Sequence, residues 1–157
     1  MKTQSKLQKL TSWSTVFVAL MLICIAFGST AEARDSKESA DARGERVKQD
    51  IETLIGHCKA NEIDKAAGYV VYRGRDKSRR WKAVSDPTQT EDRIRVESAC
   101  RQVNEVASKA TKRNWVRYFT DRQSEGMFHI WKIRFDAREA MFAMMEIDGR
   151  FALADID

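Results

Sequence analysis

A histidine, a glutamate and a tryptophan set among arginines carry most of the chemistry that this sequence offers. His129 and Glu146 both fall in the last third of the chain. If the strands there pair as their turns predict, an imidazole faces a carboxylate in a half-dry pocket, where the two can shift each other's proton affinity and act as acid and base. The bland alternative is a rim pair that satisfies its own hydrogen bonds. Residues Arg73 to Lys82 read Arg-Gly-Arg-Asp-Lys-Ser-Arg-Arg-Trp-Lys, six basic residues and one acidic one around Trp81. Such a cluster suits an anionic polymer, with Arg79 and Arg80 tracking the charge and the Trp81 ring stacking. Its alternative is a solvated connection whose Trp81 tucks against the edge of the core. His57 is a third titratable group, in a helix beside Cys58. There is no Gly-rich phosphate loop, no Gly-x-Ser-x-Gly elbow and no His-Glu-x-x-His helix, so no catalytic motif is present and no cofactor is implied.

These residues sit in a chain of 157 amino acids, 43% hydrophobic and 32% charged, which bounds the protein to one compact domain and excludes a long multi-domain enzyme. Residues 1–33 read as a signal peptide, with an uncleaved membrane anchor as the alternative. Lys2, Lys6 and Lys9 precede the apolar run from Val16 to Phe27, and Ala31-Glu32-Ala33 supplies small residues for cleavage after Ala33, with Ala31 as the alternative. The run is too short to span a bilayer comfortably, so no stable membrane span is expected after cleavage, and the protein is expected to be periplasmic or secreted. Ile23 stands before Cys24, where a lipoprotein signal requires a small residue. Residues 1–33 hold three basic residues and one acidic one, so the net charge of +5 falls to +3 after cleavage. That is too little to make whole-protein steering toward nucleic acid a good reading.

Export gives the cysteines a meaning. Only Cys58 and Cys100 survive cleavage, and an even pair in an oxidising compartment predicts a disulfide rather than a metal site or a nucleophile. No histidine lies in metal-ligand spacing with them.

Residues 34–46 are polar and read as a leader or a frayed first helix turn, with order expected from Glu45 and the domain over 47–157. Val47, Ile51, Leu54, Ile55 and Cys58 lie on one face of a first helix. Asn61 is expected to cap a second, with Ile63, Ala66, Ala67, Val70 and Val71 as its stripe and Gly74 as its stop. Pro87 and a cap at Thr88 or Thr90 introduce a third helix, whose stripe includes Val96, Cys100, Val103 and Ala107. A bridge from Cys58 to Cys100 would therefore pin helix one to helix three.

After Lys112 the pattern becomes strand-like, with strands expected near 114–122, 127–135, 140–147 and 150–156. Helices first and a β-meander last predict an α+β fold, the N-terminal helices packed on one face of a curved antiparallel sheet. Two-residue turns at Asp148-Gly149 and Ala137-Arg138 put Trp131, Ile133, Phe135, Phe142, Met144, Phe151 and Leu153 on the helix face. His129, Glu146 and Asp155 share that face. Trp131, Phe142, Met144 and Phe151 are thus candidate ligand contacts. The opposite face carries Phe128, Ile130, Lys132, Arg134, Met141, Ala143, Met145, Ile147, Ala152, Ala154 and Ile156, apolar enough in its middle to seat a second copy as a homodimer, the alternative being a solvated sheet with a few methyl groups.

The run Cys58-Lys59-Ala60-Asn61-Glu62-Ile63-Asp64-Lys65-Ala66-Ala67-Gly68-Tyr69 and the closing Asp148-Gly149-Arg150-Phe151 hairpin resemble the nuclear transport factor 2-like, or cystatin-like, superfamily over residues 47–156. The resemblance implies a small exported binding or accessory domain, or a cone-shaped enzyme with a carboxylate base in its pocket. Three functions follow: a non-catalytic domain that binds a small ligand or an envelope protein, a small-molecule enzyme using His129 and Glu146, and an anionic-polymer binder using Arg73–Lys82.

Overall fold

The chain divides into Met1–Glu38 and Ser39–Asp157. A computed structural model describes residues 39–107 and 110–157, so the expected signal peptide and residues 34–38 of the leader lie outside the described residues. The fold is α+β. Helices α1 (Ala40–Lys59), α2 (Ile63–Ala66) and α3 (Thr90–Ala107) precede strands β1 (Arg113–Gln123), β2 (Gly126–Phe135), β3 (Arg138–Ile147) and β4 (Arg150–Ile156). The strands form one antiparallel meander in the order β1-β2-β3-β4.

Helix α1 starts within the expected leader. Ser39 caps it, its hydroxyl accepting the Ala42 N–H at 3.2 Å, and Asp41 lies in the first turn, where the helix dipole favours a carboxylate. The first turns have no large apolar side chain to betray burial, because Gly44 makes the contact instead. A Cβ at Gly44 would lie 3.2 Å from the Tyr118 ring, and the Gly44 carbonyl accepts the Trp131 indole N–H at 2.8 Å. Farther along, Val47, Ile51, Leu54, Ile55 and Cys58 are all buried, as their spacing requires.

Asn61 ends α1 rather than capping α2. It adopts a left-handed φ of 56°, while its own N–H reaches the Cys58 carbonyl and that of Glu62 reaches the His57 carbonyl, the paired bonds of a Schellman motif. The second helix is only one turn long and passes through a 3₁₀ turn (Ala67–Tyr69). Val70 and Val71 are buried as expected, but in extended backbone: Val70 bridges Leu153 of β4 and Val71 bridges Val84. The β-branched Val-Val pair meets an unpaired strand edge, and pairing there displaces the helix. Gly74 therefore stops no helix. Nor does Thr88 or Thr90 take the expected capping place: Thr88 sits in a turn closed by the Asp86 carboxylate, and Thr90 is the first residue of α3.

Cys58 and Cys100 form a disulfide that ties the last turn of α1 to the middle of α3. Asn104 reinforces the junction, its amide donating to the Cys58 carbonyl at 3.0 Å.

The Asp148-Gly149 turn has φ of 49° and 78°, and it sets Glu146 opposite Phe151 and Met144 opposite Leu153, as expected. The preceding turn is Asp136-Ala137, not Ala137-Arg138. Asp136 takes a φ of 52°, and its carboxylate accepts the backbone N–H groups of Thr111 and Lys112. The register consequently slips by two, pairing Trp131 with Phe142 and His129 with Met144. A slip of two preserves side-chain alternation, so the faces survive. Two residues change sides. A bulge between Ala143 and Met144 sets Ala143 against Asp155 and Phe142 against Ile156, sending Asp155 outward and Ile156 to the helix side.

Candidate binding site

Two apolar clusters lie on the two sides of the sheet. The larger joins the helices to Ile133, Phe135, Phe142, Met144, Phe151 and Leu153. The smaller comprises Phe128, Met145, Ile147, Ala152 and Ala154, covered by Val71, Trp81 and Val84 from the connection that follows α2. That connection crosses the free edge of β4 onto the outer face. The apolar middle of the outer face is thus partly covered by the chain itself.

Four anchors fix the connection. Val71 N–H donates to the Leu153 carbonyl at 2.9 Å, and Tyr72 and Trp81 exchange backbone bonds across the loop, Tyr72 N–H to Ala83 and Trp81 N–H to Tyr72. Asp92 of α3, with a side chain only 3% exposed, accepts the Asp86 N–H at 2.9 Å and faces an Arg79 Nη2 at 3.4 Å. The Arg79 guanidinium also lies 4.2 Å from the Tyr72 ring. Finally, Asp76 and Asp86 each close a tight turn, accepting from Ser78 and Thr88 respectively. Those hydroxyl and backbone donors hold both carboxyls below the usual aspartate range.

Trp81 is the strained member of this loop. Its φ is 65°, a left-handed conformation that is a genuine outlier for so bulky a residue. The conformation turns its ring edge-on to Phe128, with centroids 6.2 Å apart, while the Arg73 guanidinium lies 4.9 Å from the ring centroid. Beside this stack opens a cleft of about 300 Å³. Phe128, Ile130, Met141 and Ala143 line it on the sheet, Trp81 and Arg73 line it on the loop, and Glu125, Asp155 and Asp157 add three acids. Its one base and three acids leave it net acidic. The Glu125 carboxyl is held below its ordinary range, first by the Ser124 hydroxyl and also by the charges of Arg73 and Arg80.

No protein-family model, characterised protein or solved structure matches this chain. The site therefore rests on its own geometry.

That geometry redistributes the residues singled out from the sequence. His129 is buried on the helix side, its Nδ1 2.8 Å from the Tyr118 hydroxyl and its ring 4.9 Å from that of Phe151. Glu146 occupies the same face one pair farther on and accepts from Arg46 Nη2 at 3.0 Å. No hydrogen bond joins His129 to Glu146, because the two-residue slip puts Met144 where Glu146 was expected. Asp155 has left that face altogether. Phe142, Met144 and Phe151 are fully buried in the core, and Trp131 packs between Trp115 and Tyr118. Arg79 is engaged by Asp92 and Tyr72, whereas Arg80 is exposed. His57 pairs with Glu62 at 2.7 Å at the end of α1. Among the described residues, no group of three His, Cys, Asp or Glu side chains is placed to hold a metal ion. None of the described helices is long and apolar enough to cross a membrane.

The floor of the cleft was visible in the sequence as the apolar outer face. Its acidic rim was not, since Glu125, Asp155 and Asp157 come together only through the β1–β2 turn, the β4 bulge and the chain end.

Proposed function

We propose that this is an exported, non-catalytic binding domain of nuclear transport factor 2-like architecture whose ligand seat is the cleft beside Trp81. Export is supported by the basic, apolar and small-residue order of residues 1–33 and by the Cys58–Cys100 bridge, a bond that persists in oxidising compartments. The observation that carries the binding reading is Trp81 itself. A bulky residue held at positive φ costs about 1–3 kcal/mol, a strain that clusters at ligand clamps and switch regions. Here the strained ring walls a cleft with an apolar floor and a few convergent polar groups, the usual make-up of a small-molecule site. The acidic rim favours a ligand with an apolar or aromatic body and a basic group.

Titration with 2-phenylethylamine, followed by tryptophan fluorescence, tests this reading. Saturable quenching is expected, weaker with neutral 2-phenylethanol and absent in Trp81→Phe, which leaves Trp115 and Trp131 as internal controls. Equal quenching in Trp81→Phe would place the ligand elsewhere and remove the reading.

A further inference from the structure

On the other side of Arg73 lies a second cleft, of about 370 Å³, between α3 and the free edge of β4. Arg73 divides the two. Its Nη1 donates to the Ala154 carbonyl at 2.8 Å and stands 3.7 Å from an Asp155 carboxylate oxygen, and Arg73 and Asp155 line both clefts. The second cleft has the opposite electrostatic character. Arg73, Arg80 and Arg95 converge on it, and Asp155 is its only acid. Two positive charges are therefore uncompensated among the lining residues.

The helix supplies the rest by its periodicity. Arg95, Ser98, Ala99 and Gln102 recur at offsets of 3, 4 and 7, so one stripe of α3 presents a guanidinium, a hydroxyl and an amide to the same opening. Arg95 is the telling residue. Its Nη1 donates to the Arg73 carbonyl at 3.3 Å, but its Nε–H is buried and has no acceptor. Buried donors are nearly always satisfied, by protein groups, water or a bound group. Neither Arg95 nor Arg80 forms an ion pair among the described residues.

We propose that this cleft is an oxyanion site, which takes one phosphate or carboxylate group of a small ligand on Arg80 and Arg95. Guanidinium groups hold such anions through paired, charge-assisted hydrogen bonds, and the Arg95 Nε–H is the donor that the anion would satisfy. Ser98 and Gln102 lie within the same opening to donate to a remaining oxygen. Asp155 offsets Arg73 and leaves Arg80 and Arg95 for the ligand. The site shares Arg73 and Asp155 with the cleft beside Trp81, whose lining favours the opposite charge.

Side-chain nitrogen NMR of the purified, disulfide-bonded protein tests the proposal, with inorganic phosphate and acetate added separately against chloride at matched ionic strength. The Arg95 Nε–H resonance is expected to shift saturably with at least one of them. Saturation by phosphate alone assigns a phosphate group, and saturation by acetate alone a carboxylate. Arg80→Gln, at an exposed position, should weaken binding about tenfold, and so should Arg95→Lys, which keeps the charge but removes the Nε–H. Thermal unfolding of each variant checks its fold, and should Arg95→Lys fail to fold, the wild-type titration and Arg80→Gln still decide. A shift no larger than that with chloride, or wild-type affinity in folded Arg80→Gln, overturns the site.

Discussion

The two faces of the sheet solve the same problem differently. On the helix face, α1 and α3 lay continuous apolar stripes over Ile133, Phe142, Met144 and Phe151, and the space is filled by side chains with no exposure. On the outer face, one irregular connection covers a smaller cluster with Val71, Trp81 and Val84. A helix pair can satisfy its own backbone and still bury a wide face, whereas a loop must spend its backbone donors on anchors and covers only a strip. The helix face is therefore core, and ligand-sized space is left beside the loop.

The largest test of this contrast is core truncation. Phe142→Ala should cost about 3–5 kcal/mol in chemical denaturation, because the helices cannot collapse onto the void. Met141→Ala, on the exposed rim of the outer cleft, should fall within about 0.5 kcal/mol of wild type. Equal losses would mean that the outer layer is as tightly closed as the inner one.

Replacing Cys58 and Cys100 together by Ala should cost roughly 4 kcal/mol in the chain-entropy treatment of a 42-residue loop. Hydrogen exchange should report the loss in α1 and α3 and leave the Trp81 loop closer to its original protection.

Asp92→Asn should act in the reverse sense. It removes the charge that faces Arg79 and weakens the acceptor for the Asp86 N–H, for an expected loss of about 1–3 kcal/mol. Faster exchange is expected over residues 72–86, with α1 nearly unchanged. Uniform acceleration across the domain would show that the loop and the core unfold as one unit.

The smallest effect is that of acid on the loop. The carboxyls of Asp76 and Asp86 are depressed in the folded state, so their contribution is present above the unfolded aspartate value of about 3.9 and is lost as pH falls through their lower folded values. Acidification through that window should loosen residues 73–88 first, as read by Trp81 fluorescence. Asp76→Asn combined with Asp86→Asn should flatten that response.

The helix stripes at Val47–Cys58 and Val96–Ala107, the four strands and the Asp148-Gly149 turn were legible because each follows from a local period or a local backbone preference. The disulfide was legible from cysteine number, with its helix-to-helix placement following from the two stripes. Burial of Val70 and Val71 was legible, but their backbone conformation was not, because a β4 edge some eighty residues away provides the pairing partner.

Sequence by itself therefore determined the α+β class, the content of the two sheet faces up to the β4 bulge and the cysteine bridge, all of which depend on which side chains recur at helical or strand period. Tertiary structure decided the site. The Asp136 turn was set by its bonds to Thr111 and Lys112, and the resulting slip parted His129 from Glu146. The β4 bulge sent Asp155 to the outer face, and the anchoring of Arg79 on Asp92 brought Trp81 over Phe128. Each of these outcomes turns on a contact between residues far apart in the chain. Local periodicity fixes which way a side chain faces, but only long-range pairing fixes what it faces.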